Sequence, residues 1–497
     1  PFSVHVFLLP FIIKPWPEET RGRDKDPPCP PERDARTRRE PGDRGKLDWR
    51  AMFDTLKRNG WEWVPYSPFQ TEEHYSVYAY FHPYVRKALF PEEEFDEAIK
   101  NGEPDFISGL FRRSPCEGTY EIEILVRHDD DPGKDQSFRY ILKLKDVSLR
   151  VFKTGVAILA LELENWDHPG REDVFRINDF GRRVYPQFLT KPPEHNPRVF
   201  SAVTVTKNSL LADRIRIRLG DAVFEEPFDE MYYRDPGHRR PYHLHIGRHV
   251  TGLFGCLTTR FQIEPIIDDR MYTVCWYSSD NFRLNMIRPR QDGHAFEDSE
   301  DWYRFLFIDG LSCCCPDRRM RGEQIRAATY RRWCDWTLYG ITRYSLTCLV
   351  GSGAPDYLRL HMRRHYRLMA ELLLAQRASI VGFFDRVSEI SRDIDNLKIA
   401  DGSTREMADI VDRIRVLHGD FIGFVNGLWF TEVTPQEQGI EMYRMALRNM
   451  DLQEQIEELK SEIKELYEYA DIQQNAILNR KAYNLSVISA IVIPVAL

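Results

Sequence analysis

The segment from Arg176 to Tyr185 places three arginines beside a carboxylate and an aromatic ring. The candidate ligand-binding residues in it are Arg176, Asp179, Arg182, Arg183 and Tyr185. A planar guanidinium donates two parallel hydrogen bonds to a phosphate, and an aromatic ring can stack on a nucleobase. The segment therefore predicts a site for a small nucleotide, although a helix surface carrying ion pairs would have the same composition.

Histidines are concentrated between positions 238 and 249. His243 and His245 alternate as they would on one face of a strand, which a metal ion could use, but no Cys or carboxylate completes a zinc spacing. The chain also lacks a P-loop, a dinucleotide-binding glycine fingerprint and a Gly-x-Ser-x-Gly elbow. We therefore predict no metal site, no certain cofactor, no catalytic residues and no enzyme activity.

Composition excludes one class of partner. The chain has 497 residues, of which 42 % are hydrophobic, and a formal net charge of -8. The apolar fraction is sufficient for a large core. A protein dedicated to nucleic-acid binding needs a basic surface to neutralise phosphates, so no direct nucleic-acid binding is expected.

The elements that must position the arginines are those of a mixed α/β domain. Short runs rich in β-branched and aromatic residues alternate with turn residues, which is typical of strands in a sheet. We predict a helix at 48–59 and strands at 4–13, 75–81, 120–127, 138–151, 156–164, 214–218, 242–246, 271–277 and 302–308.

Beyond residue 355 the pattern changes to three long helices, at 356–398, at 403–430 and from Pro435 onward. Nothing breaks the third helix for about sixty residues except Gly439 near its start. In the third helix, apolar residues recur at spacings of four and three, as in a coiled-coil seam. The seam residues are Leu452, Ile456, Leu459, Ile463, Leu466 and Ala470. The third helix should therefore pack along another helix or along copies of itself, with an acidic face outward.

The end of the third helix predicts a membrane segment. No residue from Leu485 to Leu497 is charged, and Arg480 and Lys481 lie just before this stretch, as on the cytoplasmic side of a span. A span takes about 20 residues, so the stretch is interpreted as the first part of a truncated transmembrane helix. The alternative is an ordinary helix with an apolar docking tail.

Two stretches of this helical part carry a family resemblance. They are 475–494, with spaced Asn residues before an apolar run that contains Pro494, and 424–439, which includes Asn426, Trp429 and Thr434. Residues 356–497 thereby resemble the CorA family of divalent-cation transporters. The resemblance implies a homopentamer in the lipid bilayer of the inner membrane, with most of the chain in the cytoplasm and Mg as a permeant ion. The Gly-Met-Asn signature of that family is absent.

Residues on one face of the third helix would line the pore if the resemblance holds. They are Asn479, Ala482, Leu485, Ser489, Ile493 and Ala496. Leu485 and Ile493 would form apolar constrictions that gate by dewetting. The alternative is that these side chains face neighbouring helices.

The soluble part is larger than a CorA transporter requires. An enlarged protein of this shape resembles the ligand-gated effectors of type III CRISPR antiviral defence, which are implied to respond to a nucleotide second messenger made from S-adenosylmethionine and ATP. The alternatives are an ordinary magnesium transporter, a nucleotide-processing enzyme with a membrane tether, and a helical scaffold that only oligomerises.

The predicted fold class is α+β, with a large mixed α/β cytosolic domain followed by stalk helices that lead into the truncated transmembrane helix. The predicted domains are an N-terminal strand segment at 1–16, a disordered linker at 17–46, an α/β sensing domain at 47–354, a helical stalk at 355–484 and the start of the transmembrane helix at 485–497.

Overall fold

A computed structural model describes most of the chain. The described residues are 1–15, 47–93, 97, 99–100, 103–126, 136–184, 212–227, 246–268, 270–291, 293–310, 315–332, 337–399 and 404–495. The linker predicted at 17–46 and nearly all of the strand predicted at 242–246 lie outside these residues.

The described residues form strands and helices in mixed order. The strands are β1 (Ser3–Pro15), β2 (Trp61–Trp63), β3 (Ile99–Lys100), β4 (Glu103–Pro104), β5 (Ser108–Arg113), β6 (Gly118–Val126), β7 (Gln136–Phe152), β8 (Val156–Asn165), β9 (Arg214–Leu219), β10 (Ala222–Pro227), β11 (Phe261–Pro265), β12 (Tyr272–Ser278), β13 (Pro289–Arg290), β14 (Gly293–His294), β15 (Thr329–Tyr330), β16 (Thr337–Ile341) and β17 (Ser345–Val350).

The helices are α1 (Trp49–Arg58), α2 (Glu72–Tyr80), α3 (Pro83–Leu89), α4 (Arg171–Gly181), α5 (Arg248–Phe254), α6 (Leu257–Arg260), α7 (Asp280–Ile287), α8 (Glu300–Phe307), α9 (Arg318–Ala328), α10 (Asp356–His361), α11 (Arg367–Ile399), α12 (Thr404–Gly427), α13 (Glu437–Asn449) and α14 (Leu452–Val495). A 3-10 turn covers Ala295–Asp298, and a π-helical turn, Met362–Tyr366, joins α10 to α11.

Strand β1 lies in the middle of the main sheet, between β8 and β12. Along the main path the strand order is β10-β9-β6-β7-β8-β1-β12-β17-β16-β15, and only the β12–β17 pair is parallel. Nearly every residue of β1 is buried, as expected of a strand covered on both faces. The apolar run at the start of the chain is therefore a central strand, which confirms the strand predicted at 4–13.

Among the described residues, two apolar cores hold the sheet and its helices together. The larger core joins β1 and β5–β9 to α1 and α5, with Phe7, Phe53 and Trp61 fully buried. The smaller core joins β12 and β17 to α4, α7, α8 and α9 around Trp302 and Phe305. Helix α4 contributes to both cores, through Ile177 to the larger and Phe175 to the smaller.

The chain divides into two compact units. Unit 1 comprises residues 1–375 and 430–450, and unit 2 comprises 376–429 and 451–497. In unit 2, α11 and α12 are antiparallel, since Phe383 contacts Phe421 and Asp393 pairs with Arg413. Helix α14 packs along α12, where Ile463 is buried in the seam. The prediction that this helix packs along another helix is confirmed.

Two predicted strands are helices. The segment predicted as a strand at 75–81 belongs to α2, which Thr71 caps by accepting a hydrogen bond from His74 N. The segment predicted at 302–308 belongs to α8, which Ser299 caps in the same way through Trp302 N. Both helices have acidic residues in their first turn, and such capping outweighs the strand propensity of aromatic side chains.

The predicted sixty-residue helix is broken once. Helix α13 ends at Asn449, and Asp451, with φ 55°, turns the chain before α14 begins. Asp is one of the residues that tolerate this left-handed conformation. The spacing of apolar residues did not reveal the break, because the seam starts only at Leu452.

The transmembrane part of the predicted fold class is wrong. The fold is mixed α/β with a large sheet, and within the described residues no helix is both long and apolar enough to cross a membrane. Within the described residues, helix α14 extends to Val495, and the uncharged part that contains Leu485 begins only after Lys481. This uncharged part falls short of the roughly 20 residues that a span requires.

Candidate functional site

Helix α4 carries the predicted ligand-binding residues Arg176 and Asp179, and Arg182 and Arg183 follow it directly. Buried polar contacts fix this helix to the sheet. His5 of β1 hydrogen-bonds Asn178 at 2.7 Å, and the Tyr120 hydroxyl of β6 donates to the carbonyl of Gly181 at 2.7 Å. Val174 and Ile177 on the same helix are fully buried. The position of α4 against the central strands is therefore determined by both packing and hydrogen bonds.

The structure separates Arg176 from the other predicted ligand-binding residues. The Arg176 guanidinium lies 4.0 Å from the ring centroid of Phe138 and pairs with Glu172 and Asp173, one turn earlier on the helix. These contacts match the alternative interpretation of the segment, namely a helix surface that carries ion pairs. Tyr185 lies outside the described residues.

Asp179, Arg182 and Arg183 lie together at the C-terminal end of α4, and all three are buried. Arg183 Nη2 donates to Asp179 Oδ1 at 2.7 Å. Arg182 Nη2 donates to the carbonyl of Ile308 at 3.0 Å, at the C-terminal end of α8. A cation at that end of a helix interacts favourably with the helix dipole.

Residues that are distant in sequence complete this group. An isolated bridge pairs Arg183 with Arg270, and Met271 N donates to the Arg182 carbonyl at 2.7 Å. The Arg182 and Arg270 guanidinium carbons lie 5.9 and 5.5 Å from the ring centroid of Tyr344. We call this group the arginine cluster: Arg182, Arg183, Arg270, Asp179, Asp268, Asp309 and Tyr344.

Burial dominates the electrostatics of the arginine cluster. Burial lowers the pKa of Arg182 to about 10, and Arg270 and Arg183 act in the same direction against Asp179. Burial, followed by the Asp179 carboxylate, raises the pKa of Asp309 above its usual value. Both shifts show that charged forms here are poorly solvated.

Three buried nitrogen atoms in the cluster have no acceptor within the described part of the chain. They are Nε of Arg182, and Nε and Nη1 of Arg183. Asp268 pairs with Arg270 and Asp179 pairs with Arg183, but among the described residues no carboxylate is within ion-pair distance of Arg182. A buried donor without an acceptor costs about 1–3 kcal/mol, so these atoms suit an anion.

The backbone beside Arg182 is strained. Ile308, whose carbonyl accepts the Arg182 hydrogen bond, has φ 51° and ψ 52° and is buried. A β-branched residue seldom adopts this left-handed conformation, and such strain costs roughly 1–3 kcal/mol. Packing of α8 in the smaller core and the hydrogen bond from Arg182 hold it there.

A second polar group, which sequence reasoning missed, has the connectivity of a catalytic triad. Asn165 donates to Ser3 Oγ, Ser3 Oγ lies 2.8 Å from His5 Nε2, and His5 Nδ1 lies 2.7 Å from Asn178 Oδ1. However, burial lowers the pKa of His5 to about 4. Ser3, His5 and Asn178 are essentially inaccessible, so we interpret the group as an internal network that fixes α4.

The nearby thiol is equally unsuited to nucleophilic catalysis. Cys275 Sγ lies 3.7 Å from His5 Nδ1, yet burial raises the pKa of the Cys275 thiol to about 12. A nucleophilic cysteine needs the opposite shift, toward thiolate.

The predicted pore-lining residues lie on or beyond α14. Asn479 and Ala482 are exposed on it, and Leu485, Ser489 and Ile493 lie within its helical backbone. Ala496 is outside the described residues. Of the clustered histidines, His249 is buried in α5, whereas His243 and His245 are outside the described residues. The pore assignment stays a prediction.

Comparison with known proteins does not identify a family. No protein-family model matches the chain, and no significant similarity to a curated protein or to a solved structure was found. The resemblance to the CorA family therefore stays a prediction.

Proposed function

We propose that unit 1 senses a small phosphate-bearing ligand of the nucleotide class, and that the arginine cluster binds its phosphate. One observation supports this more than any other. The buried guanidinium groups of Arg182 and Arg183 keep N–H donors for which the described residues offer no acceptor. A phosphate supplies several acceptor oxygens, and its negative charge would pair with the guanidinium of Arg182, which has no carboxylate partner among the described residues.

The surroundings of the cluster favour an anion over a neutral ligand. Three guanidinium groups meet there, and burial, followed by the Asp179 carboxylate, raises the pKa of the opposing Asp309. Arg270 is the most accessible arginine of the cluster, since its side chain is 29 % exposed, and the ring of Tyr344 lies next to it. A nucleotide such as the conjugate of S-adenosylmethionine and AMP combines a phosphate with rings that could stack.

Calorimetric titration of the full chain with ATP, and with the conjugate of S-adenosylmethionine and AMP, tests the proposal. Arg182→Gln combined with Arg183→Gln should weaken binding at least tenfold, because the two guanidinium groups proposed to bind the phosphate are lost. Arg176→Gln is the matched control, since Arg176 lies on the same helix but contacts Phe138. Unchanged affinity in the double variant would overturn the proposal.

Arg270→Gln provides an independent test if the double variant proves unstable. Its side chain is partly exposed, so the fold should tolerate the change better than at the buried positions. We expect severalfold weaker binding without loss of the circular dichroism signal. Binding at wild-type strength would count against the arginine cluster as the ligand site.

Ion conduction of the CorA type, gated by this ligand, is a second proposal that rests on the sequence resemblance alone. Among the described residues, no helix is long and apolar enough to span a membrane and so support this proposal. Flux of Mg into liposomes that contain the protein, measured with and without ligand, would test it. If the Mg flux does not depend on ligand, ligand-gated ion conduction is excluded, and the proposal that unit 1 senses a ligand is not affected.

A further inference from the structure

An open cleft of about 660 Å3 lies on unit 1, and none of the residues predicted to bind ligand lines it. Its walls come from α7, β13, the 3-10 turn and the first turn of α9. Arg290, Arg318 and Arg321 line it together with Asp298, while Met286 and Ala295 add an apolar surface. A volume of this size is typical of small-molecule sites.

Positive charge exceeds negative charge in this cleft. Arg290 and Arg318 both pair with the single carboxylate of Asp298, with Arg318 Nε at 2.7 Å from Oδ2. Arg321 is held differently, since its Nε donates to the Asp298 carbonyl at 2.9 Å and its Nη1 to the Cys315 carbonyl at 2.6 Å. Its Nη1 also pairs with Glu300 Oε1 at 3.4 Å. The Asp298 carboxylate therefore serves two exposed guanidinium groups, and the Arg321 guanidinium is fixed by two backbone carbonyls and Glu300.

The exposure of these side chains suits an incoming anion. The side chains of Arg290 and Arg318 are 50 % and 76 % exposed, whereas Asp298 is 19 % exposed. Burial opposes the charged form of Asp298, but its hydrogen bonds from Arg318 and Arg290 hold its pKa below the usual value. Asp298 therefore keeps the two arginines together at the mouth of the cleft.

Two helices begin beside the cleft, and the first turn of one of them, α8, is itself acidic through Glu300 and Asp301. Arg318 is the first residue of α9, and Ser299, which lines the cleft, caps the start of α8. The N-terminal end of a helix carries partial positive charge, which favours a bound phosphate. The helix ends alone would not define a site, but here they coincide with three arginines and a cavity.

We propose that this cleft binds a nucleoside diphosphate, with the two phosphate groups on Arg290 and Arg318 and the nucleoside over Met286 and Ala295. Asn285 and Ser299 supply hydrogen-bonding groups for the sugar or base. A single inorganic phosphate would leave most of the 660 Å3 unfilled. This site goes beyond the proposed function, since it shares no residue with the arginine cluster.

Titration of the full chain with adenosine diphosphate, with adenosine as the uncharged comparison, tests the proposal. Arg290→Gln with Arg318→Gln should weaken adenosine diphosphate binding at least tenfold. Arg319→Gln is the matched control, because Arg319 is the next residue of α9 and pairs with exposed Glu323 instead of lining the cleft. Arg182→Gln with Arg183→Gln should leave cleft binding intact, so failure of this site and failure of the proposed function are distinguishable.

Asp298→Asn gives a result that a purely structural role would not. The isosteric change keeps the backbone carbonyl that accepts from Arg321 but removes the carboxylate that competes with the ligand. We expect adenosine diphosphate to bind severalfold tighter. If Arg319→Gln weakens adenosine diphosphate binding equally, the attraction is nonspecific. If only Arg182→Gln with Arg183→Gln weakens it, the ligand binds in the arginine cluster. Either result would overturn the proposal. Displacement of adenosine diphosphate only by oligonucleotides would point to nucleic acid instead and would overturn it too.

Discussion

Arg150 Nε donates to Glu371 Oε2 at 2.8 Å, although 221 positions separate the two residues in the chain. Their side chains are 5 % and 3 % exposed, so the pair is isolated from water. Arg150 also donates to the Leu89 carbonyl at 2.7 Å. The pair joins strand β7 to the first turns of α11 within unit 1.

Other charges extend this contact into a network. Arg367 lies 2.9 Å from Glu371 and 3.2 Å from Glu162 of β8, and Arg363, in the π-helical turn, pairs with Glu162 and Glu164. The network attaches the start of a long helix to the middle of the sheet. π-helical turns often occur where a helix performs a function.

Glu371→Gln should lower the free energy of unfolding of unit 1 by about 3–5 kcal/mol, because Arg150 would lose its only carboxylate partner among the described residues. Urea denaturation followed by circular dichroism measures this. Replacing both partners, as Arg150→Met with Glu371→Met, should cost less than Glu371→Gln alone. Glu323→Gln, which breaks the exposed pair with Arg319, should leave the midpoint unchanged, and an equal loss there would contradict the argument.

Stability should fall in mild acid because of His5. Burial lowers the pKa of His5 to about 4, against an unfolded value of 6.5. The stabilisation is therefore complete above pH 6.5 and is lost as the pH falls toward 4, by roughly 3 kcal/mol in total. His5→Gln should be less stable at pH 7 but should show a shallower decline between pH 6.5 and 4. Parallel declines in urea midpoint for both proteins would exclude His5 as the cause.

The sequence predicted much of the sheet but only part of the candidate site. Runs rich in β-branched and aromatic residues located β6 to β9, and a continuous apolar run located the central β1, because such composition signals are local. Asp179, Arg182 and Arg183 could be selected because they lie close together in the sequence. Arg270, Asp309 and Tyr344 could not, because a strand bridge and helix packing bring them together, and no local pattern records either contact.

The errors also have a physical origin. Aromatic residues in α2 and α8 suggested strands, but the capping hydrogen bonds of Thr71 and Ser299 favoured helices. The uncharged stretch after Leu485 suggested a membrane span, but its length within α14 is too short. In each case the segment has the stated composition, but the type of element predicted from that composition was wrong.

Asp309→Asn should stabilise unit 1 at pH 7 and strengthen ligand binding. Burial, then Asp179, raises the pKa of Asp309, so the folded state favours the neutral acid and loses stability as the pH rises through that pKa. Asn mimics the neutral form, so the rise in melting temperature at pH 7 should disappear near pH 3. ATP affinity should increase severalfold, because one carboxylate beside Arg182 is removed. The exposed Asp385→Asn in unit 2 serves as the control, and a rise in melting temperature that is equal at both pH values would contradict the mechanism.

The seam of α14 gives a test of how unit 2 is held together. Ile463 is 1 % exposed where α14 packs along α12, and the ring centroids of Tyr467 and His418 lie 4.3 Å apart across the same contact. Ile463→Ala leaves a cavity and should destabilise this packing by about 2–4 kcal/mol. Hydrogen exchange should then accelerate in both α12 and α14, while the exposed Lys464→Ala changes neither. Loss of a concentration-dependent oligomer without faster exchange in α12 would mean instead that the seam packs against a second copy of the chain.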